Sequence, residues 1–174
     1  MTNNCIYNNG SLYLAPALGR CRNTEVGPLY AKDGFVSLWE QAILMSKDFD
    51  GWNERKKKIN EITNRQFFKE GEVWWVHLGL NIGYEIDGKG TEYERPVVVI
   101  KKYNQYSFLA LPLSTVNKSN IHYVSIGVIG GKENYGIMSQ LRNIDSKRLI
   151  NQIGEVDSAL LKIIKEKISQ TNFG

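Results

Sequence analysis

Cysteine is nearly absent from this chain: Cys5 and Cys21 are the only two, both near the N-terminus and without a C-x-x-C spacing. That argues against a disulfide-stapled scaffold and a thiolate metal site, and two free thiols are expected. Histidine is equally scarce, with His77 and His122 alone. Two isolated imidazoles, with no carboxylates gathered at ligand spacing, argue against a metal centre and for chemistry that needs neither metal nor other cofactor. Long apolar runs are missing as well. Nothing approaches the ~18 consecutive apolar residues that a membrane helix needs. The first residues lack the positive n-region and apolar h-region of a secretory signal. A cytoplasmic protein with no membrane segment is expected.

What remains is ordinary globular material. The 174 residues are 42% hydrophobic and 23% charged, enough for one domain plus an extension. The net charge is +4. Residues 1–44 balance Arg20, Arg22 and Lys32 against Glu25, Asp33 and Glu40, so the whole excess lies in residues 45–174. A basic balance favours a polyanionic partner.

Residues 1–44 are rich in Asn, Gly and Tyr and show no sustained period. They read as a weakly ordered or non-native N-terminal extension, with room for a short helix at Phe35–Leu44. Met45 then opens a sequence that looks like a natural start, which an intact mass from the native host would test. Residues 45–66 are expected to form an amphipathic helix. Phe49, Trp52, Ile59 and Ile62 share a face, and Asp48 or Asp50 can cap it. Arg55-Lys56-Lys57-Lys58 crosses the outside, as a phosphate contact, a docking surface for an acidic partner, or a solvated face; the last is the commoner meaning of so short a run.

The rest is organised around Gly71–Ile100. Two apolar, β-branched and aromatic runs, Glu72–Leu78 and Pro96–Ile100, flank a long polar loop ending in Glu94-Arg95. The pattern is strand, long loop, strand, and loops of that length tend to be functional. Val97–Ile100 is apolar throughout, as a strand buried on both faces requires. Further strands are expected at Arg95–Lys102, Tyr106–Leu113, His122–Ile126, Gly136–Gln140 and Leu149–Ile153, with a tight hairpin at Tyr103-Asn104-Gln105. A last helix from Val156 to about Thr171 carries Val156, Leu160, Ile163, Ile164 and Ile168 on its apolar stripe. Many short strands with one terminal helix imply a small, strongly curved barrel. Gly83–Gly90 superficially fits a phosphate loop. It lacks the closing Ser/Thr and the following helix, so no nucleoside triphosphate site is expected.

The order G-E-V-W-W-V, G-Y-E, R-P-V-V-V-I, P-L-S-T (112–115) and S-Q-L-R-N-I-D (139–145) resembles the MazF/PemK family of toxin endoribonucleases over about residues 68–173. The resemblance implies a fold that is mainly β with helices: a small SH3-like barrel of the CcdB/MazF type, occupying 67–174, with an N-terminal and a C-terminal helix. It implies the toxin of a type II toxin–antitoxin pair, cutting single-stranded RNA selectively and without metal, and leaving a 2′,3′-cyclic phosphate. It also implies a homodimer and a cognate antitoxin that is acidic and partly disordered. The alternative is a catalytically inactive nucleic-acid- or protein-binding module of the same fold, such as a CcdB-like topoisomerase inhibitor.

Transesterification by the 2′-OH puts charge on the non-bridging phosphate oxygens, and a planar guanidinium suits that charge. Arg95 matches the arginine of the family's R-P motif, catalytic by resemblance; Pro96 holds its backbone extended. The structural alternative is a strand-end arginine paired with Glu94 or Glu85. Ser114 takes the place of the family's hydroxyl and Thr115 follows it, so either can act on the scissile phosphate. Glu85 matches the family's G-x-E carboxylate, as proton acceptor or as orienter of Arg95. The Ile86–Glu94 spacer is longer than in simpler members. Tyr84 is the tyrosine expected to stack on a base, ahead of Tyr93, Tyr103, Tyr106 and Tyr123, and Lys89 is expected to touch RNA. Gln140 and Arg142 are either RNA contacts or structural, with Asp145 the candidate ion-pair partner in the structural reading. His77 reads as core-edge and His122 as exposed.

Overall fold

The computed structural model describes Lys47–Gly174 and, upstream, the backbone of two short strands, β1 (Ile6–Asn8) and β2 (Ser11–Tyr13). These two pair antiparallel, Ile6 opposite Tyr13, within a unit of their own (1–46). The other expectations for residues 1–44, including a helix at Phe35–Leu44, lie outside the described residues.

In the second unit, α1 (Phe49–Asn60) precedes β3 (Glu72–His77), β4 (Glu94–Lys102), β5 (Ser107–Ser114), β6 (Tyr123–Ile129), β7 (Lys132–Ile137), β8 (Arg142–Asp145) and β9 (Leu149–Glu155), and α2 (Ser158–Phe173) closes the chain. Short 3₁₀ turns occupy Met138–Gln140 and Ser146–Arg148. The strands form one seven-stranded antiparallel sheet in the order β6-β7-β5-β4-β3-β9, with β8 also on β5. Extra residues at Ile100 in β4 and Ile126 in β6 break the register. Such bulges bend a strand and raise its twist. The result is a sheet curled into a half-barrel with two flanking helices, the expected SH3-like fold. Among the described residues no helix is long and apolar enough to cross a membrane.

Strand β4 explains why the sheet has two cores. Val97, Val98, Val99 and Ile100 are all at most 3% exposed, and successive side chains of a strand point to opposite faces. Val98 and Ile100 pack with Val73, Leu111 and Leu113 beneath Ile164 and Ile168 of α2. Val97 and Val99 pack with Trp74, Val76, Phe68 and Phe108 on the other side. Each such side chain contributes about 1.5–3 kcal/mol on burial.

The helices differ from expectation at their ends. Asp48 caps α1, its carboxylate accepting from Gly51 N at 2.8 Å. The helix stops at Asn60, so Ile62 is exposed rather than on the face; Phe49 is exposed too, and Trp52 and Ile59 carry the packing. Asp157 caps α2 through Leu160 N at 2.8 Å, so the helix begins after Val156 and Ile163 falls on the solvent side. The strand set differs at β6–β8. Gly130 and Gly131 adopt φ of +59° and +75° between Ile129 and Lys132, the requirement of a two-residue hairpin turn. This places β7 at Lys132–Ile137 and turns Met138–Gln140 into a 3₁₀ turn. Strand β8 has no counterpart among the expected strands.

Candidate active site

Arg95 stands opposite Val76 where β4 enters the sheet. Its side chain is largely buried, 8% exposed, and held from two directions. Nε donates to the Asp87 carbonyl at 2.6 Å and Nη1 to the Leu113 carbonyl at 2.9 Å. Nη2 has no acceptor among the described residues. Burial pulls the guanidinium pKa down from its ordinary value, and Asp87 and Tyr123 oppose that pull; arginine remains charged at neutral pH regardless. Leu113 adjoins Ser114, the half-exposed last residue of β5, whose Oγ accepts from Val116 N at 3.0 Å. Thr115 follows in the open. Arg95 and the P-L-S-T hydroxyls are therefore neighbours.

The long loop between β3 and β4 is not loose. Gly79 has φ +94° and lies under the Trp52 ring, where an added Cβ would sit 2.2 Å from a ring carbon. Gly79 N donates to Tyr93 O at 3.0 Å and Gly88 N to Gly79 O at 2.7 Å, closing the loop on itself. Tyr93 packs edge-on against Trp52 and donates its hydroxyl to Asp48 at 2.8 Å. Asp87 presents its carbonyl to Arg95 because its carboxylate is fixed by Asn81 N at 2.6 Å and Lys47 Nζ at 2.7 Å.

Gln140 grips the tip of this loop through both ends of its amide, to Ile86 N at 3.0 Å and Tyr84 O at 3.2 Å. Arg142 donates to Asn81 Oδ1 at 3.3 Å, while Asp145 pairs with Arg65 instead. Tyr84 projects fully into solvent and Lys89 is exposed. Glu85 is exposed and bonds Ile82 N at 3.2 Å through Oε2. No ion pair joins Glu85 to Arg95 among the described residues. The loop thus gathers Tyr84, Glu85, Lys89, Gln140 and Arg142, and its Asp87 carbonyl meets Arg95.

A family model for the PemK-like, MazF-like toxins of type II toxin–antitoxin systems matches residues 69–171. The chain belongs to this family. Among solved structures it is similar to MazF from Deinococcus radiodurans, at 20% identity and TM-score 0.52, over 61% of this chain and 96% of that one. A MazE–MazF structure from the same organism follows at 18% identity and TM-score 0.46 over 61% and 95%. An endoribonuclease from a mycobacterial species is similar at 16% and 0.45 over 63% and 93%. No curated protein matches. Arg95, Ser114, Thr115, Glu85, Gln140 and Arg142 all fall inside the PemK/MazF match, whereas α1, with Trp52 and Arg55, precedes it.

Two expectations are corrected by the geometry beside the loop. Arg55 does not cross the outside of α1: it turns inward to pair with Glu92 and to meet His77 Nε2 at 3.2 Å. Carboxylates also do gather, since the ligand atoms of His77, Glu92 and Glu94 lie within 4.8 Å of one another. The fit to a metal ion is poor. His77 Nδ1 faces the Glu92 carbonyl at 2.9 Å, which leaves Nε2 as the acceptor for Arg55. The guanidinium already occupies the place a cation would take.

Sequence reasoning missed Asp87, Asn81 and Lys47, the set that aims a carbonyl at Arg95. The one local signal was Asp87 before Gly88, a turn pair whose partners lie elsewhere in the chain.

Proposed function

We propose that this chain is the toxin of a toxin–antitoxin pair and an endoribonuclease that cuts single-stranded RNA selectively, without metal. The observation that carries the reading is Arg95: two nitrogens are tied to carbonyls, one is left over, and the tether sets it beside Ser114. A pre-positioned guanidinium in a partly desolvated site acts where charge develops, at no reorganisation cost during the reaction. In the proposed step the ribose 2′-oxygen attacks the adjacent phosphorus, the P–O5′ bond breaks, and the 5′-oxygen takes a proton from solvent water. The products are a 2′,3′-cyclic phosphate and a 5′-hydroxyl. Arg95 Nη2 steadies the non-bridging oxygens, and Ser114 or Thr115 hydrogen-bonds the same phosphate. Glu85 Oε1, which has no donor among the described residues, serves as acceptor of the 2′-OH proton. Tyr84 stacks on an unpaired base and Lys89 meets a phosphate, while Gln140 and Arg142 hold the loop that presents them. The enzyme works in the cytoplasm as a homodimer, and an acidic, partly disordered antitoxin blocks it.

The burial of Arg95 favours one competing reading, a structural rivet in a binding module without activity. Incubating the protein in EDTA with mixed single-stranded RNA, and with the same RNA carrying 2′-deoxyriboses, separates them. Cleavage of the ribose strand alone, with cyclic phosphate ends, supports the nuclease. Intact RNA in every condition overturns it.

A further inference from the structure

A cleft of ≈ 520 Å³ opens between α1 and the 3₁₀ turn at Ser146–Arg148. Lys56, Lys57, Arg65, Lys147 and Arg148 line it against one carboxylate, Asp145. That carboxylate is already taken, since Arg65 meets Asp145 Oδ1 at 2.6 Å and Oδ2 at 3.3 Å. Of the lining cations, Lys57 also meets Glu54 at 2.6 Å and Arg148 donates inward to the His77 and Leu78 carbonyls, which leaves Lys56 and Lys147 with no carboxylate partner among the described residues. The solvated-face meaning of the lysine run does not account for this recess, because the further cations come from elements outside α1.

Arg65 also lines an adjoining recess of ≈ 270 Å³ with Phe67, Lys102 and Tyr106. There two rings are left open to solvent, Phe67 at 72% and Tyr106 at 51% exposure. Each carries a cation: Arg65 lies 4.9 Å from the Tyr106 centroid and Lys102 4.2 Å from that of Phe67. Cations that track a backbone beside flat aromatic faces are what unpaired nucleic acid needs. An acidic peptide would want an open apolar pocket for an anchor; in the larger cleft the sole apolar lining residue, Ile59, is itself buried.

The placement connects this surface to the active site. Strand β8 runs antiparallel to β5, with Asp145 opposite Ser107 and Arg142 opposite Ala110. The other end of β5 is Ser114, beside Arg95. The two ends are about 20–25 Å apart along the strand, and Arg142, opposite Ala110, stands between them.

We propose that this cleft and its aromatic shelf hold the RNA strand beyond the scissile phosphate, a subsite completed by α1 outside the family-matched barrel. The inference rests on the ribonuclease reading above. The test uses the full chain and a fluorescein-labelled, mixed-sequence 2′-O-methyl RNA, which has no free 2′-OH to attack. Lys56→Gln with Lys57→Gln removes two exposed cations, Lys57 being one that swings from Glu54, 2.6 Å away, to a phosphate when the strand is bound. The slope of log affinity against log salt then falls by about 1.4, and affinity in 0.1 M salt drops roughly 25-fold. Tyr106→Ala weakens binding about tenfold with the slope unchanged. An unaltered slope and affinity in the double lysine variant overturn the proposal, and do so without touching the nuclease reading if the wild type still cuts ribose RNA. Wild type that binds through the cleft but cuts nothing supports the cleft and overturns the nuclease. Polyglutamate binding lost in the variant while RNA binding persists assigns the cleft to an acidic protein and also overturns the proposal.

Discussion

Replacing Gly79 with alanine tests whether α1 locks the loop that serves Arg95. The backbone there has φ +94°, and the new methyl would stand 2.2 Å from the Trp52 ring. A left-handed conformation costs a side-chain-bearing residue about 1–2 kcal/mol. The ring must also move off, giving up part of a burial worth up to about 3 kcal/mol. The expected loss is about 3–5 kcal/mol. Gly83→Ala is the control: φ is +56° with nothing within 4 Å of the added carbon, so only the backbone cost of about 1 kcal/mol applies. Urea unfolding, with the slope unchanged, measures both. For this size of domain the Gly79 variant also melts roughly 10 °C or more lower. A Gly79→Ala loss no larger than that of Gly83→Ala would mean that Trp52 does not clamp the loop, and the account of how Arg95 is aimed would fall with it.

Gln140→Ala removes two hydrogen bonds from the loop tip, one from Ile86 N and one to Tyr84 O. It should cost about 1–2 kcal/mol and speed amide exchange at Ile86 while exchange in β4 stays as it was. Asp48 is held below its ordinary value of 3.8 first by the Gly51 amide and then by the Tyr93 hydroxyl. Its contribution is therefore complete above that ordinary value and is lost as pH falls through the lower folded value. The stability gap between wild type and Asp48→Asn should shrink to nothing at the acid end of a pH series, and a gap that widened there would contradict the assignment. Arg55→Ala withdraws the cation seated among His77, Glu92 and Glu94. Added zinc should raise the melting temperature of this variant and leave the wild type unmoved.

The sheet was legible because its signals are local. Four consecutive apolar residues at Val97–Ile100 demand a strand with both faces covered, and the structure supplies a core on each side. Arg95 and the P-L-S-T hydroxyls were legible through family resemblance, and the fold brings them together. What escaped depends on long-range partners. Arg55 looked like part of a solvated run because His77 and Glu92, which turn it inward, are distant in sequence. Strand β8 is four residues long with one buried side chain, Ile144, too little pattern to register. Gly130-Gly131 was a hairpin signal in plain view, and overlooking it misplaced β7. The clasp of Gln140 on the loop tip and the carbonyl that Asp87 offers Arg95 exist only once the loop has folded onto α1.

The most direct test compares wild type, Arg95→Lys and Arg95→Ala in single-turnover cleavage of one saturating single-stranded RNA in EDTA, with folding of each checked by its near-ultraviolet circular dichroism. Folded Arg95→Ala should cut at least about a hundredfold more slowly, with Arg95→Lys between the two, since it keeps the charge but not the fork. Wild-type rates from a folded Arg95→Ala would show that the arginine only rivets the sheet, and would contradict the central claim.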